Sequence, residues 1–253
     1  MQPVLGRFGP FLIHSYTLVM GLGLAAVVLL TKRLAAGDRP GSAGWRDALA
    51  WTALAALAGG RIGYVAANWT YFQQAAGEIA LLWLGGLSYH GALAGGAAGL
   101  WAWARRQGRS AGRYAGLFAP GLALLSAFGW AACYLEGCAS GRPAPFGPLA
   151  AGLPDAYGIE ALRYQTQALG LLLALPALAL ALWGRGRWPG KVLFWVTLLA
   201  LSAGRLAVAP LRGDPVPLLA DARLDVYLEA GLSLLAAGMA LKGGPGNWQR
   251  RSG

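Results

Sequence analysis

The sequence predicts an all-α, polytopic membrane protein: seven transmembrane helices in one bundle, with residues 1–253 forming a single domain. Three observations carry that expectation. The chain is 57% hydrophobic and only 12% charged, with a mean hydropathy of +0.48, a composition outside the range of an ordinary water-soluble domain. Apolar stretches near the ~20 residues that a helix needs to cross a bilayer recur along its whole length. Lys and Arg are divided very unequally between alternate connections.

The expected spans are residues 12–30, 48–67, 79–104, 114–135, 166–183, 190–210 and 224–241. The first is a retained helix rather than a signal peptide, because its positive cluster "TKR" follows the apolar run instead of preceding it. The second carries "AGGRIGYV" and the third "LSYHGALAGG", each with an ionisable side chain among small residues. The fourth ends in "CYLEGC". The fifth, "ALGLLLALPALALALW", tolerates Pro176 because neighbouring helices can satisfy the freed backbone group. The sixth contains "SAGRLAVAP", and the seventh holds Glu229. The long connection from Glu136 to Arg163, with "GRPAPFG", is where a rigid bundle tends to carry a site.

Charge sets the orientation. Lys32, Arg33, Arg39 and Arg46 follow the first span, Arg105, Arg106, Arg109 and Arg113 the third, Arg185, Arg187 and Lys191 the fifth, and Lys242, Arg250 and Arg251 the seventh, together 14 of the 21 cationic residues. The opposite connections hold Arg7, Arg142, Arg163, Arg212 and Arg223. By the positive-inside rule the N-terminus is outside and the C-terminus cytoplasmic. The same asymmetry accounts for the net charge of +11 without a nucleic-acid partner. Glycine-rich nucleotide motifs are absent, which argues against ATP-driven transport. Two well-separated histidines and the lack of a carboxylate cluster argue against a metal site.

Ionisable residues within or at the outer edge of spans are costly, and each is therefore a functional candidate. Arg61, His90, Glu136, Arg142, Arg205 and Glu229 qualify. Arg61, His90, Glu136 and Arg205 fall at one level if the spans alternate, and a convergent cationic site there suits an anionic headgroup, since guanidinium grips phosphate in a bidentate fork. Each has a plainer reading. His90 alone is a packing residue, Arg61 snorkels or pairs with a helix-end carbonyl, and Glu229 serves as the salt-bridge partner of Arg223 or Arg205. The glycines of "HGALAGG" indicate close helix packing. Cys133 and Cys138 read as free buried thiols, a disulfide following only if Cys138 lies beyond the helix.

"NWTYFQQAAGEIALLWLGGLSYHGALAGG", with "GGRIGYV" before it, resembles the prolipoprotein diacylglyceryl transferase family of the bacterial inner membrane. "IHSYTLVMGLG" with Tyr16 is similar to the family's first-span tyrosine segment. "RYQTQAL" resembles its His-Pro-Ser-Gln-Leu-Tyr element with Gln167 kept, and "GRLAVAPLR" its Arg-Phe-x-x-Glu-x-x-Arg element with Arg205 and Arg212 kept.

The resemblance implies transfer of the diacylglyceryl group of phosphatidylglycerol to the lipobox cysteine thiol of a preprolipoprotein signal peptide. A thioether forms and glycerol phosphate leaves, with no metal or soluble cofactor, at an active site towards the outer leaflet. It implies His90, Arg205 and Tyr16 as catalytic residues, and Arg61, Arg142, Gln167, Arg212, Glu136 and Gly91 as substrate contacts. His90 is then a base for the thiol or a donor to the headgroup.

The family signature Gly-Arg-x-Gly-Asn-Phe-x-Asn-Gly-Glu-x-x-Gly, set on "GWAACYLEGCASG", puts Trp130 at the arginine, Cys133 and Glu136 at the asparagines and Cys138 at the glutamate, keeping Gly129, Gly137 and Gly141. The expectation is that Arg142 or Arg61 supplies the missing cation. The alternative is a paralogue of the same fold that binds lipid without transferring it.

Overall fold

The computed structural model describes residues 4–8, 11–37, 42–155 and 157–243. Arg39, Arg250 and Arg251 lie outside the described residues. The chain packs as two compact units, Ala35–Ala115 and the remainder from either side of it.

In the first unit, α2 (Trp45–Ala67) is followed by a single helical turn, α3 (Trp69–Phe72), by 3₁₀ turns at Ala76–Glu78 and Leu82–Leu84, and by α4 (Tyr89–Arg106). Here one expectation needs correction. The third span was read as 79–104, but the helix starts only at Tyr89. The run "IALLWLGGLS" is apolar enough for a span, yet Gly85 and Gly86 take φ of +81° and +80° and Ser88 caps α4 by accepting from the Gly91 N–H, so helix cannot propagate backwards. Hydropathy measures burial preference and is blind to that break.

Glycine builds the contact between α2 and α4. A Cβ on Gly59 would sit 2.5 Å from the Gly91 carbonyl oxygen and 2.8 Å from the Gly95 Cα, and one on Gly63 3.0 Å from the Gly91 Cα. The pairing order makes the two helices antiparallel at backbone contact, the close approach that small-xxx-small spacing permits. At the far end Trp103 packs edge-on to Tyr114, 4.8 Å between ring centroids. The Tyr114 hydroxyl and Arg109 Nη1 both donate to the Ala43 carbonyl.

The second unit starts with the hairpin β1 (Val4–Phe8) and β2 (Phe11–His14), leading into α1 (Ser15–Ala36). It continues with α5 (Ala111–Glu136, from Gly116 onward), the hairpin β3 (Ala150–Pro154) and β4 (Glu160–Tyr164), then α6 (Thr166–Gly184) and α7 (Gly190–Val208). The two-residue strands β5 (Leu218–Leu219) and β6 (Ala222–Arg223) precede α8 (Leu224–Lys242). Small residues again set the spacing: Gly23 admits Phe128, and Gly116 lies against Gly190. Ala123, Ala127, Trp130, Ala174, Ala177, Leu201 and Val208 form its core.

The fold is that of an all-α polytopic membrane protein; among the described residues one short hairpin precedes α1 and two lie between helices. Among the described residues six helices are long and apolar enough to cross a membrane: α1, α2, α5, α6, α7 with the turn to Leu211, and α8. The remaining expected span, the third, corresponds to α4, whose 18 residues end in Arg105 and Arg106. Described basic residues stand in the closing turns of α1, α4, α7 and α8, with Arg113 and Lys191 in the opening turns of α5 and α7.

Candidate functional site

In the Ala35–Ala115 unit, Arg61 projects from α2 and is buried, with 7% exposure. Its guanidinium has five N–H donors, and five loop carbonyls receive them. Nε donates to Ile79 O, Nη1 to Gly85 O and Gly86 O, and Nη2 to Glu78 O and Leu81 O. The rings of Tyr64 and Phe72 flank it, at 5.8 and 5.3 Å from their centroids. This is the carbonyl pairing of the plainer reading of Arg61. No donor is left for a phosphate, and the residue holds the irregular segment 78–86 against α2.

That segment delivers Ser88, whose N–H donates to Gly60 O at 2.8 Å, and then His90 in the first turn of α4. His90 is half-buried and meets Tyr89 edge-on, with 5.3 Å between centroids. Gly91 is not an open substrate position: a Cβ there would overlap the Gly59 carbonyl oxygen, so α2 already fills the space beside it.

In the other unit, Glu136 closes α5 and serves the start of α1. Its carboxylate lies 3.2 Å from His14 Nδ1 and accepts from Ser15 Oγ at 3.3 Å and from the Tyr16 N–H at 3.4 Å. A carboxylate at a helix N-terminus satisfies orphan amides and meets the positive end of the helix dipole. Tyr16 stands exposed in that first turn.

Beyond Glu136 the chain turns through Gly137, at φ +88°, and Cys133 and Cys138 are joined in a disulfide. The free-thiol reading is corrected. Cys133 remains on the helix while Cys138 lies past its end, so helical geometry no longer separates them. Gln167, buried at 1% exposure, donates to Cys138 O at 2.9 Å, and Thr166 Oγ1 donates to Ala139 O at 2.6 Å. Gln167 therefore supports the loop from beneath.

The same loop is tied on its other side. The Arg142 N–H donates to Leu211 O at 2.9 Å and the Gly213 N–H to Ser140 O at 2.8 Å. Arg142 itself is exposed, its guanidinium 5.6 Å from the centre of the Tyr164 ring.

Arg212 is held by carboxylates instead of facing open solvent. It makes a two-pronged contact with Asp214, Nε to Oδ1 at 2.9 Å and Nη2 to Oδ2 at 2.6 Å, and Nη1 reaches Asp225 Oδ2 at 3.1 Å. Arg223 joins Asp214 and Asp225 from the other side, at 3.4 and 3.0 Å. Burial works against the charge on Arg212, but the two carboxylates outweigh it and raise its pKa further. Sequence reasoning missed Asp214 and Asp225, although "RGDPVPLLADARLD" offered three acids beside two arginines. It also missed Arg163, which pairs with Asp155 at 2.8 Å and donates to Gly141 O at 3.3 Å.

Arg205 forms an ion pair with Glu229, one of the two partners expected for that acid. Its guanidinium lies 5.6 Å from the Trp130 ring centre. Trp130 in turn occupies the space beside Gly170, where any Cβ would run into the indole. Arg205, Trp130, Gly170, Ser126, Leu173 and Gly204 line a narrow cleft. Among the described residues no group of His, Cys, Asp or Glu could hold a metal ion.

Helices of this length and apolarity define a multi-pass membrane protein. The sequence pattern of the prolipoprotein diacylglyceryl transferases matches residues 3–242, so the chain belongs to that family. The phosphatidylglycerol–prolipoprotein diacylglyceryl transferase of Nostoc sp. is 29% identical over 251 residues, 94% of this chain and 88% of its own length. That of Gloeobacter violaceus is 30% identical over 250 residues, covering 94% of this chain and 91% of its own. That of Rhodospirillum rubrum is 36% identical over 158 residues, 61% of this chain and 58% of its own length.

Proposed function

We propose that the protein transfers the diacylglyceryl group of phosphatidylglycerol to the lipobox cysteine of preprolipoproteins, in the cytoplasmic membrane of a bacterium. The site opens to the outer leaflet, seven helices span the bilayer with α4 as the third, and the N-terminus is outside. The observation that carries this reading is the family match over residues 3–242, nearly the whole chain. The charge asymmetry of the connections supports the orientation.

In the reaction the cysteine sulfur attacks the glycerol carbon that bears the phosphate. A C–S bond forms, the C–O bond to phosphate breaks, and glycerol phosphate leaves with that electron pair. The thiol proton goes to His90 acting as general base, or His90 donates to the headgroup while the departing phosphate takes the proton. Charge accumulates on the leaving phosphate, so fixed cations beside it lower the barrier.

Arg205 and Arg142 fill that role on this reading. Arg142 takes the place of the signature arginine that Trp130 replaces, because it is exposed and the five donors of Arg61 are occupied. Tyr16 orients the headgroup. Glu136, Gln167 and Arg212 position the elements that carry Tyr16 and Arg142.

The test is reconstitution of the protein in phosphatidylglycerol vesicles with a synthetic lipobox peptide, following the peptide's mass. A diacylglyceryl gain, lost with His90→Ala and absent in pure phosphatidylcholine, is expected. No gain while phosphatidylglycerol still binds would instead make the protein a lipid-binding paralogue.

A further inference from the structure

Within the Ala35–Ala115 unit, the half of the α2–α4 pair remote from His90 opens into a groove of about 290 Å³. Its floor is apolar: Ala55 and Gly99 where the helices touch, Ala102, and Trp103, which is buried at 4% exposure. Trp51 forms one wall and is half exposed. Arg106 stands at the mouth, its guanidinium 5.8 Å from the centre of the Trp51 ring. This end of the unit is strongly basic. Among the described residues Arg46, Arg105, Arg106, Arg109 and Arg113 belong to this end, against the single acid Asp47.

These features have complementary demands. An apolar slot between two membrane-length helices takes hydrocarbon, whereas an exposed guanidinium at its mouth, steadied over an indole, takes an anion at the level where indole rings favour the membrane interface. Arg109 is already committed to Ala43 O and the Tyr114 hydroxyl, which leaves Arg106 as the cation placed over the groove. A phosphate tethered to an acyl chain meets both demands at once, and basic pockets between helices are where anionic headgroups lodge. We propose that this groove binds an anionic phospholipid from the leaflet that the α4–α5 connection faces, acyl chain along Ala55, Gly99 and Ala102 and phosphate on Arg106. The site lies at the opposite end of the helix pair from His90 and is independent of the transferase reading.

The full-length protein is reconstituted in phosphatidylcholine vesicles containing tail-brominated phosphatidic acid or, at equal mole fraction, tail-brominated phosphatidylcholine. The tryptophan emission lost in Trp51→Phe reports the groove. The expected result is quenching of that emission several-fold stronger by the brominated phosphatidic acid than by the brominated phosphatidylcholine. Arg106→Gln should remove the preference, and Arg113→Gln, which changes the same net charge outside the groove, should keep it. Equal quenching by the two lipids in the wild-type protein would overturn the proposal. So would a preference that survives Arg106→Gln, or one that Arg113→Gln removes equally, which would reduce it to a general surface charge effect.

Discussion

Two arginines, one in each unit, show how differently a membrane protein can hold the same cation. Arg61 is met by neutral acceptors alone, five peptide carbonyls between Glu78 and Gly86, so its donors are filled while its charge stays uncompensated. Arg212 is met by carboxylates, Asp214 and Asp225, which cancel the charge and fix the guanidinium plane. The first arrangement organises a loop built only of short 3₁₀ turns. The second cross-links the two ends of the α7–α8 connection. Neither leaves an arm for substrate, and this moves attention to Arg142, whose loop both kinds of contact support.

The comparison is broken most severely by removing the Arg61 side chain. Arg61→Ala strips charged donors from several part-buried carbonyls, and a buried group costs about 1–3 kcal/mol when left unsatisfied. A loss of about 3–5 kcal/mol is expected in denaturant unfolding of the detergent-solubilised protein. Arg61→Lys should recover only part of it, because an ammonium cannot fork to carbonyls on both sides.

Next in size is the glycine seam beneath that loop. Gly91→Leu forces α2 and α4 apart where Gly59 lies in contact, at a cost of about 1–3 kcal/mol or more. It should lower the thermal midpoint without altering the chemistry of any polar group.

In the other unit, Cys133→Ser with Cys138→Ser opens a short covalent loop, for which chain entropy predicts about 2 kcal/mol. Reductant should lower the thermal midpoint of the wild-type protein and leave that of the double variant unmoved.

The smallest effect concerns Asp155. Hydrogen bonds from the Ile159 and Tyr157 amides and the charge of Arg163 hold its carboxyl below the ordinary range, although desolvation opposes them. The folded-state pKa is depressed, so the stabilisation is present above the ordinary carboxylate value of about 4 and is lost as pH falls through the lower folded value. Amide exchange in the β3–β4 hairpin should accelerate over that acid window, and Asp155→Asn should remove the pH dependence.

Much of this was legible in the sequence, for identifiable reasons. Long apolar runs bounded by charges located the helices, since hydrocarbon length and charge cost act locally along the chain. The third span was misplaced because Gly85 and Gly86 break the helix through backbone conformation, a property hydropathy does not register. Glu229 was read correctly as an ion-pair partner from its cost in the membrane alone. The role of Arg61 was offered as one of two readings, and only distance decides between carbonyls and phosphate. The disulfide depended on where α5 ends, a matter of one or two residues. Asp214 and Asp225 were missed because their partners are set by how the α7–α8 connection folds back on itself, not by any periodicity.

The central claim is that Arg142 supplies the cation missing from the position of Trp130. Its most direct test is the rate of diacylglyceryl transfer to a lipobox peptide by Arg142→Ala in phosphatidylglycerol vesicles, measured beside the unfolding midpoint of the same variant. Loss of one preorganised donor to a developing oxyanion predicts a fall of about 10²–10³-fold in kcat, with the midpoint unchanged because the side chain is exposed. A variant that transfers at the wild-type rate would contradict the account and return the phosphate to Arg205 alone.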